Sequence, residues 1–547
     1  MSKTFTMAAA AIFSGVLAFC VAATQAGAAP AEIIDSQTPD LEIGSYALKI
    51  AVDPDAKTID GKVTIDLRYA NHGARQARLD LSPEMNVRSV AVDGSAVAYS
   101  RDGDLLVVPL PAADRVNGKI VGHSIAVDYA GTPLPRYFSF EALNGSAAAA
   151  SYGLPMSARH WWPCFDSPRL KAREADIQIT VPRNLTAAAN GTLIGVSHEN
   201  EATSTYHWHE KYPICADVVS VAAAAYTKFS LDYTGKSGTP LPLEFYVSTQ
   251  TLEHAKADFS VVPQVLGSYE EILGPYPFAG EKYGIAEFSR GSFREHQTLP
   301  SLGSKFITGV NENWWIIAHE IAHQWFGNSL SVGNWSDIWL NESFSQYAVA
   351  LWQERKGGAA AYRAFLATLW KADFTGSIYV EDPTKFDRMF GDTMFGKGPW
   401  VLHTLRHVMG DAAFFRALKA YIAENRYGRV STAAWQSICE RTYGKPLGWF
   451  FDEWVRGVGQ PSFRVDWARQ DAAGKTGASY ALRVTQTQAG AVFEMPVDFL
   501  IHTGNGTVAT TAWINSRSQV IAIDAPADIV SVEIDPGDWI LKGTVSN

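Results

Sequence analysis

The sequence predicts a multidomain α+β chain, with an N-terminal β-rich domain, a mostly helical middle domain and a small C-terminal β-sandwich. Three changes of hydrophobic period carry this reading. Apolar residues alternate with a period of two from about residue 40 to 235. They take a helical period from 236 to 456, and alternation returns from 460 to 547.

In the first region the segments 45–52, 62–69 and 175–181 alternate cleanly and are separated by Asp, Gly, Asn and Pro turn residues. In the second, helical patterns cover 313–327, 338–356, 359–372, 397–409 and 411–425. The helix over 338–356 ends at Gly357-Gly358, a stop signal. In the third, strands are expected at 462–467, 480–485, 497–502 and 529–534, the size of a small sandwich. Ahead of all three lies an export signal over 1–28: Lys3, an apolar stretch over 7–23, and the small residues Ala26-Gly27-Ala28. The expected location is therefore periplasmic or secreted. No other apolar run is long enough to span a bilayer, so no membrane span is expected in the mature chain.

With 47% hydrophobic and 19% charged residues the composition is that of an ordinary globular protein. A formal net charge of −10 argues against nucleic acid or an anionic membrane as the main partner. Cys20 falls in the leader, leaving Cys164, Cys215 and Cys439. An odd number allows at most one internal disulfide, and the absence of short Cys spacing excludes a cysteine metal cluster. Most of the 17 Trp residues are expected to pack in cores.

The chemistry is concentrated in His319-Glu320-Ile-Ala-His323. On a helix, histidines four apart lie one turn apart on the same face, so both rings reach one Zn²⁺ at about 2.0–2.1 Å. Glu320, beside the first ligand, is placed to take a proton from water rather than to bind the metal. Glu342, 19 positions after His323 and on the next helix, is the candidate third ligand. A bare motif of this kind arises by chance on amphipathic helices. Here Trp315, Ile316, Ile321, Trp325 and Phe326 supply an apolar pattern around it, and a second helix brings the glutamate. Two histidines and a glutamate leave a fourth position for water, as a catalytic zinc site requires, so one Zn²⁺ per chain is expected.

Three motifs in order then resemble the gluzincin zinc aminopeptidases of the aminopeptidase N and leukotriene-A hydrolase family. They are Ala158-Arg-His-Trp-Trp-Pro-Cys-Phe-Asp-Ser-Pro168, the zinc motif with Trp339-Leu-Asn-Glu342, and Phe395-Gly-Lys-Gly398. The resemblance implies a thermolysin-like zinc catalytic domain at 236–456, between a β-domain at 40–235 and a sandwich at 460–547. It implies hydrolysis of N-terminal residues from a peptide substrate, with Glu320 passing its proton to the leaving amine. It also implies that Glu295, in Ser292-Phe-Arg-Glu-His296, binds the substrate's α-ammonium.

The chain departs from that family at several positions. Ser292, Arg294 and His296 replace Gly, Met and Asn, and Leu154 stands where a Gln or Glu is usual. Phe395 occupies the place of a tyrosine that donates to the tetrahedral oxyanion, and a phenyl ring cannot donate. Tyr379 and His403 are candidate replacements. These departures keep two alternatives open: a zinc-binding protein of this fold with weak or no catalysis, and a related hydrolase with altered specificity. Asn341 and Asp337 flank the third ligand; Asp337 is read as a solvated helix cap, and Arg159 and Asp166 as a structural pair.

Overall fold

The computed structural model describes residues 41–546 apart from 70–75, 112–114, 117, 118, 121, 154, 199, 237, 384, 385 and 471–477. The expected export signal over 1–28 and Leu154 lie outside the described residues. The chain divides into two compact units. One holds the described residues up to Trp335 together with 425–430, the other Ser336–Glu424 and the residues from Ser431 onward.

The first unit opens with a large sheet built on the alternating segments. Leu41–Asp53 lies between Thr58–Tyr69, antiparallel, and Lys171–Pro182, parallel, and the sheet continues outward through His123–Gly131 on one side and Thr203–Glu210 on the other. Every second residue of these strands, such as Leu48, Ile50, Val63, Ile65, Ile177 and Ile179, is buried in one core. The period-two pattern thus fixes both the register and the buried face. Arg159 is buried against Asp80 at 3.1 Å and Asp166 at 2.9 Å, the structural pairing expected of that segment.

A five-stranded sheet follows, in the order Tyr226–Leu231, Leu243–Ser248, Tyr283–Phe288, Ser301–Gly303, Phe293–Arg294. Four of these strands fall where the sequence reads as helical. The reason is burial: Tyr283–Phe288 and Ser301–Gly303 are buried at every position, so no alternation is left to read. The helices Leu252–Phe259, Val262–Leu273 and Trp314–Ala322 belong to the same unit.

In the second unit the helix Trp339–Leu369 is interrupted at Gly357 (φ −135°) and Gly358 (φ 68°), the stop signal read from sequence. Gly398–Met409 and Asp411–Glu424 begin within a residue of their expected starts. Two sheets close the unit. One orders Ser518–Ala525, Ala478–Gln486, Phe463–Gln470 and Val545–Ser546, and the other Gly506–Ile514, Met495–Thr503 and Ile529–Ile534. Ile529 of the second packs against Ala478 and Tyr480 of the first. The three expected regions are all present. Cys164, Cys215 and Cys439 are free, buried thiols. Among the described residues no helix is long and apolar enough to cross a membrane.

Candidate active site

The helix Trp314–Ala322 is buried continuously from Ile316 to Ala322, so its apolar residues enclose His319 and Glu320 in the chain. Its regular part is shorter than the 313–327 read from sequence. His323 keeps helical angles (φ −58°, ψ −20°), and then the turn widens. Asn328 N–H bonds the His323 carbonyl at 3.1 Å, and Ser329 and Leu330 bond the carbonyls of Gln324 and Trp325. Gly327, at φ 108°, permits this wider turn. The His323 side chain takes part, its Nδ1 donating to the Phe326 carbonyl at 3.1 Å.

That bond decides the tautomer. With Nδ1–H committed to a carbonyl, Nε2 carries the lone pair. It lies 2.8 Å from the Nε2 of His319, with the two rings 83° apart. Ligand atoms of His319, Glu320 and His323 all lie within 4.8 Å of one another, and all three residues are buried. Converging imidazole nitrogens with one ring oriented from behind are the donor arrangement that Zn²⁺ takes, so the residues present fit that ion.

The turn that follows this helix holds the segment around Glu295. Gln324 accepts the Thr298 N–H at 2.9 Å and donates to the His296 and Glu320 carbonyls, both at 3.4 Å. Asn328 donates to the Glu295 carbonyl at 2.7 Å. Phe293, two residues before Glu295, packs edge-on against His319. His296 is buried and neutral: its Nε2 accepts the Gly153 N–H at 3.2 Å and its Nδ1 donates to Ser301 at 3.1 Å. Burial, then the Arg294 charge, lowers its pKa to about 3. Burial, then the Asp166 and Glu295 charges, push the nearby Asp217 up to about 8. Sequence reasoning missed Gln324, Asn328 and His296 as supports. The available signal was polar residues on the buried side of an apolar segment.

The second unit carries Glu342, buried in the first turn of Trp339–Leu369. Asp337 is buried rather than solvated, accepting from the Thr432 N–H at 3.0 Å and its hydroxyl at 2.6 Å. It therefore tethers the helix Thr432–Tyr443, which corrects the reading of a solvated cap. Phe395 sits in a wide helical turn, Thr393–Lys397. Buried Lys397 donates to the carbonyls of Gly376 and Gly457, and burial lowers its pKa to about 7. His403 is not available as an oxyanion donor. Its Nε2 donates to the Asp538 carbonyl at 2.9 Å, so its Nδ1 accepts from the Tyr362 hydroxyl at 2.6 Å. Tyr379 is partly exposed, with its backbone N–H on the Val455 carbonyl.

Residues 43–216 match the peptidase M1 N-terminal domain, and residues 304–454 match the peptidase family M1 domain, which contains the His-Glu-His group. The chain belongs to peptidase family M1. Among its relatives is an aminopeptidase N of Lactococcus lactis subsp. lactis, 24% identical over 79% of this chain and 52% of the relative. Another is a probable aminopeptidase 1 of Saccharolobus solfataricus, 23% identical over 85% of this chain and 59% of the relative. This M1 chain spans about half the length of the curated relatives it matches. Its fold is similar to that of an M1 zinc metallopeptidase from Deinococcus radiodurans, at a TM-score of 0.64 and 24% identity over 77% of this chain and 95% of that one. It is also similar to an aminopeptidase A from Legionella pneumophila solved with aspartic acid, at a TM-score of 0.80 and 15% identity over 94% of this chain and 60% of that one.

Proposed function

We propose that this chain is an exported zinc-dependent aminopeptidase that removes N-terminal residues from peptides. The observation that carries it is the succession of two elements along one short stretch of chain, 319–328. His319 and His323 converge their Nε2 atoms beside Glu320, while Gln324 and Asn328 of the following turn hold the Glu295 segment. This arrangement supports reading the two histidines and Glu295 as parts of one site.

His319 and His323 would hold the ion, and Glu342 is the third ligand that the sequence pattern implies. When bound, Zn²⁺ supplies a Lewis acid that polarises a carbonyl and brings the pKa of water to about 7. Glu320 takes the proton from the attacking water and delivers it to the leaving amine. Glu295 accepts from the substrate's α-ammonium, which fixes the register at the first peptide bond. The names carried by the relatives support this reading, and the N-terminal pattern over 1–28 supports export.

The test uses purified mature chain: zinc content by elemental analysis, then turnover of free peptides against the same peptides N-acetylated. Zinc near one per chain with cleavage of free peptides alone is the expected result. Equal cleavage of both sets overturns the exopeptidase part. Zinc-replete protein inert on all peptides would favour the second reading, a zinc-holding protein, which Phe395 motivates.

A further inference from the structure

Arg294 sits next to Glu295 on the short edge strand Phe293–Arg294. Its guanidinium carbon lies 3.8 Å over the ring of Tyr152. One Nη1 bond, at 2.6 Å, goes to the carbonyl of its own neighbour Phe293, and the Nε–H is buried without an acceptor. No carboxylate pairs with this arginine among the described residues. Its neighbour Arg290, 5.3 Å from the same ring, has Glu141 at 3.3 Å. A partly buried arginine without an anionic partner is unusual, because removing such a charge from water is costly unless it is paired. Stacking on Tyr152 satisfies the face of the guanidinium but leaves its in-plane N–H groups to find an acceptor.

Arg294 is held in place by a small polar frame. Tyr152 is 7% exposed and donates its hydroxyl to Ser292 at 2.9 Å. The next residue, Gly153, is bonded through its N–H to His296, on the far side of Glu295. There is no spare room in this frame: a Cβ at Gly153 would lie 2.8 Å from His296 Nε2 and 2.9 Å from the Asp217 carbonyl. One positive and one negative residue, Arg294 and Glu295, thus stand at consecutive positions of a segment that Asn328 holds at the Glu295 carbonyl. A ligand that matches both carries an ammonium and, a few bonds away, a carboxylate. An N-terminal aspartyl or glutamyl residue has this pattern, with its α-ammonium on Glu295 and its side-chain carboxylate on Arg294.

We propose that Arg294 reads the side chain of the first substrate residue and directs the enzyme to peptides with an acidic N-terminus. This rests on the aminopeptidase reading above. A planar guanidinium meets a carboxylate by two parallel N–H···O bonds, which an amide of the same shape cannot reproduce. A charge-assisted contact of this kind is worth about a tenfold preference or more.

The experiment uses zinc-loaded full chain and aminoacyl 4-nitroanilides of Glu, Asp, Gln, Asn and Leu. A Glu-to-Gln ratio of kcat/KM of about ten or more is expected. Arg294→Met should collapse that ratio towards one, while Arg294→Lys keeps part of it. A ratio near one in the wild type overturns the proposal. So does an Arg294→Met variant, equal to wild type in thermal stability, whose ratio is unchanged. If no reporter is turned over, the aminopeptidase reading fails, and binding separates the two ideas. Titration of zinc-loaded Glu320→Gln protein with L-glutamate and L-glutamine should give tighter glutamate binding that Arg294→Met abolishes. Equal binding of the two amino acids overturns the role of Arg294 on its own.

Discussion

Ser343, the residue after Glu342, donates its hydroxyl to the Met394 carbonyl at 2.8 Å, so the Phe395 turn is pinned to the first turn of the Glu342 helix. Gly398 makes this approach possible: a Cβ there would fall 1.9 Å from Ser343 Oγ and 2.4 Å from its Cβ. Gly398→Ala must therefore push the two helices apart. A loss of about 1–3 kcal/mol is expected from the overpacking, together with reduced turnover as the Phe395 turn shifts. Thermal denaturation and reporter kinetics on the same preparation check both.

Zinc holding and proton transfer separate in a pair of variants. Glu320→Gln keeps His319 and His323 and is expected to retain zinc while losing about 10²–10⁴ in kcat, the usual worth of a general base. His323→Ala removes both a proposed ligand and the Nδ1 bond to Phe326, so zinc content itself should fall. Elemental analysis beside turnover distinguishes them. An active Glu320→Gln protein would remove this residue from the chemistry.

The architecture was legible where one face of an element meets solvent. The large sheet around Leu41–Asp53 and the helix Asp411–Glu424 each keep a polar side, so their period survives in the sequence. Tyr283–Phe288 has no polar side, and its strand identity is set by neighbours remote in sequence. The same division holds in the site. His319, Glu320 and His323 are local in sequence, and helical spacing alone puts them together. The bonds from Gln324 to Thr298 and from His296 to Gly153 join segments that only the folded chain brings together. His403 was misread for the same reason, since both of its partners, Tyr362 and Asp538, are distant in sequence.

Phe395 gives the sharpest test of how the resemblance transfers. Family members place a tyrosine hydroxyl here to stabilise the developing oxyanion, and one such donor is worth about 10²–10³ in kcat. Phe395→Tyr adds the hydroxyl to a ring whose backbone is already fixed by Ser343 and Lys397. A rise of about tenfold or more in kcat, with KM little changed, is the expected outcome. No gain would mean that another group of this chain already serves the oxyanion.

His296 ties the Glu295 segment to Gly153 and does so only as a neutral ring. Its pKa of about 3 in the folded chain lies below the ~6.5 of an unfolded histidine, because burial and then Arg294 disfavour the cation. Between those values the unfolded state binds more protons than the folded one. The stability that His296 contributes is therefore complete above about pH 6.5 and is lost as the pH falls towards 3. One group of this kind gives a slope of up to about 1.4 kcal/mol per pH unit. His160 and His403, also near 3, act in the same direction. Asp217, raised to about 8, acts in the opposite one, favouring the folded state at low pH. These three groups are common to the wild type and a His296→Asn variant, so they cancel in the difference between the two. The variant should be less stable at pH 8, where the neutral ring's two bonds are lost, and should close the gap as the pH falls. Denaturant midpoints at half-unit steps from pH 8 to 4 check this. A gap that stays constant with pH would mean that His296 does not enter the folded chain as the neutral ring.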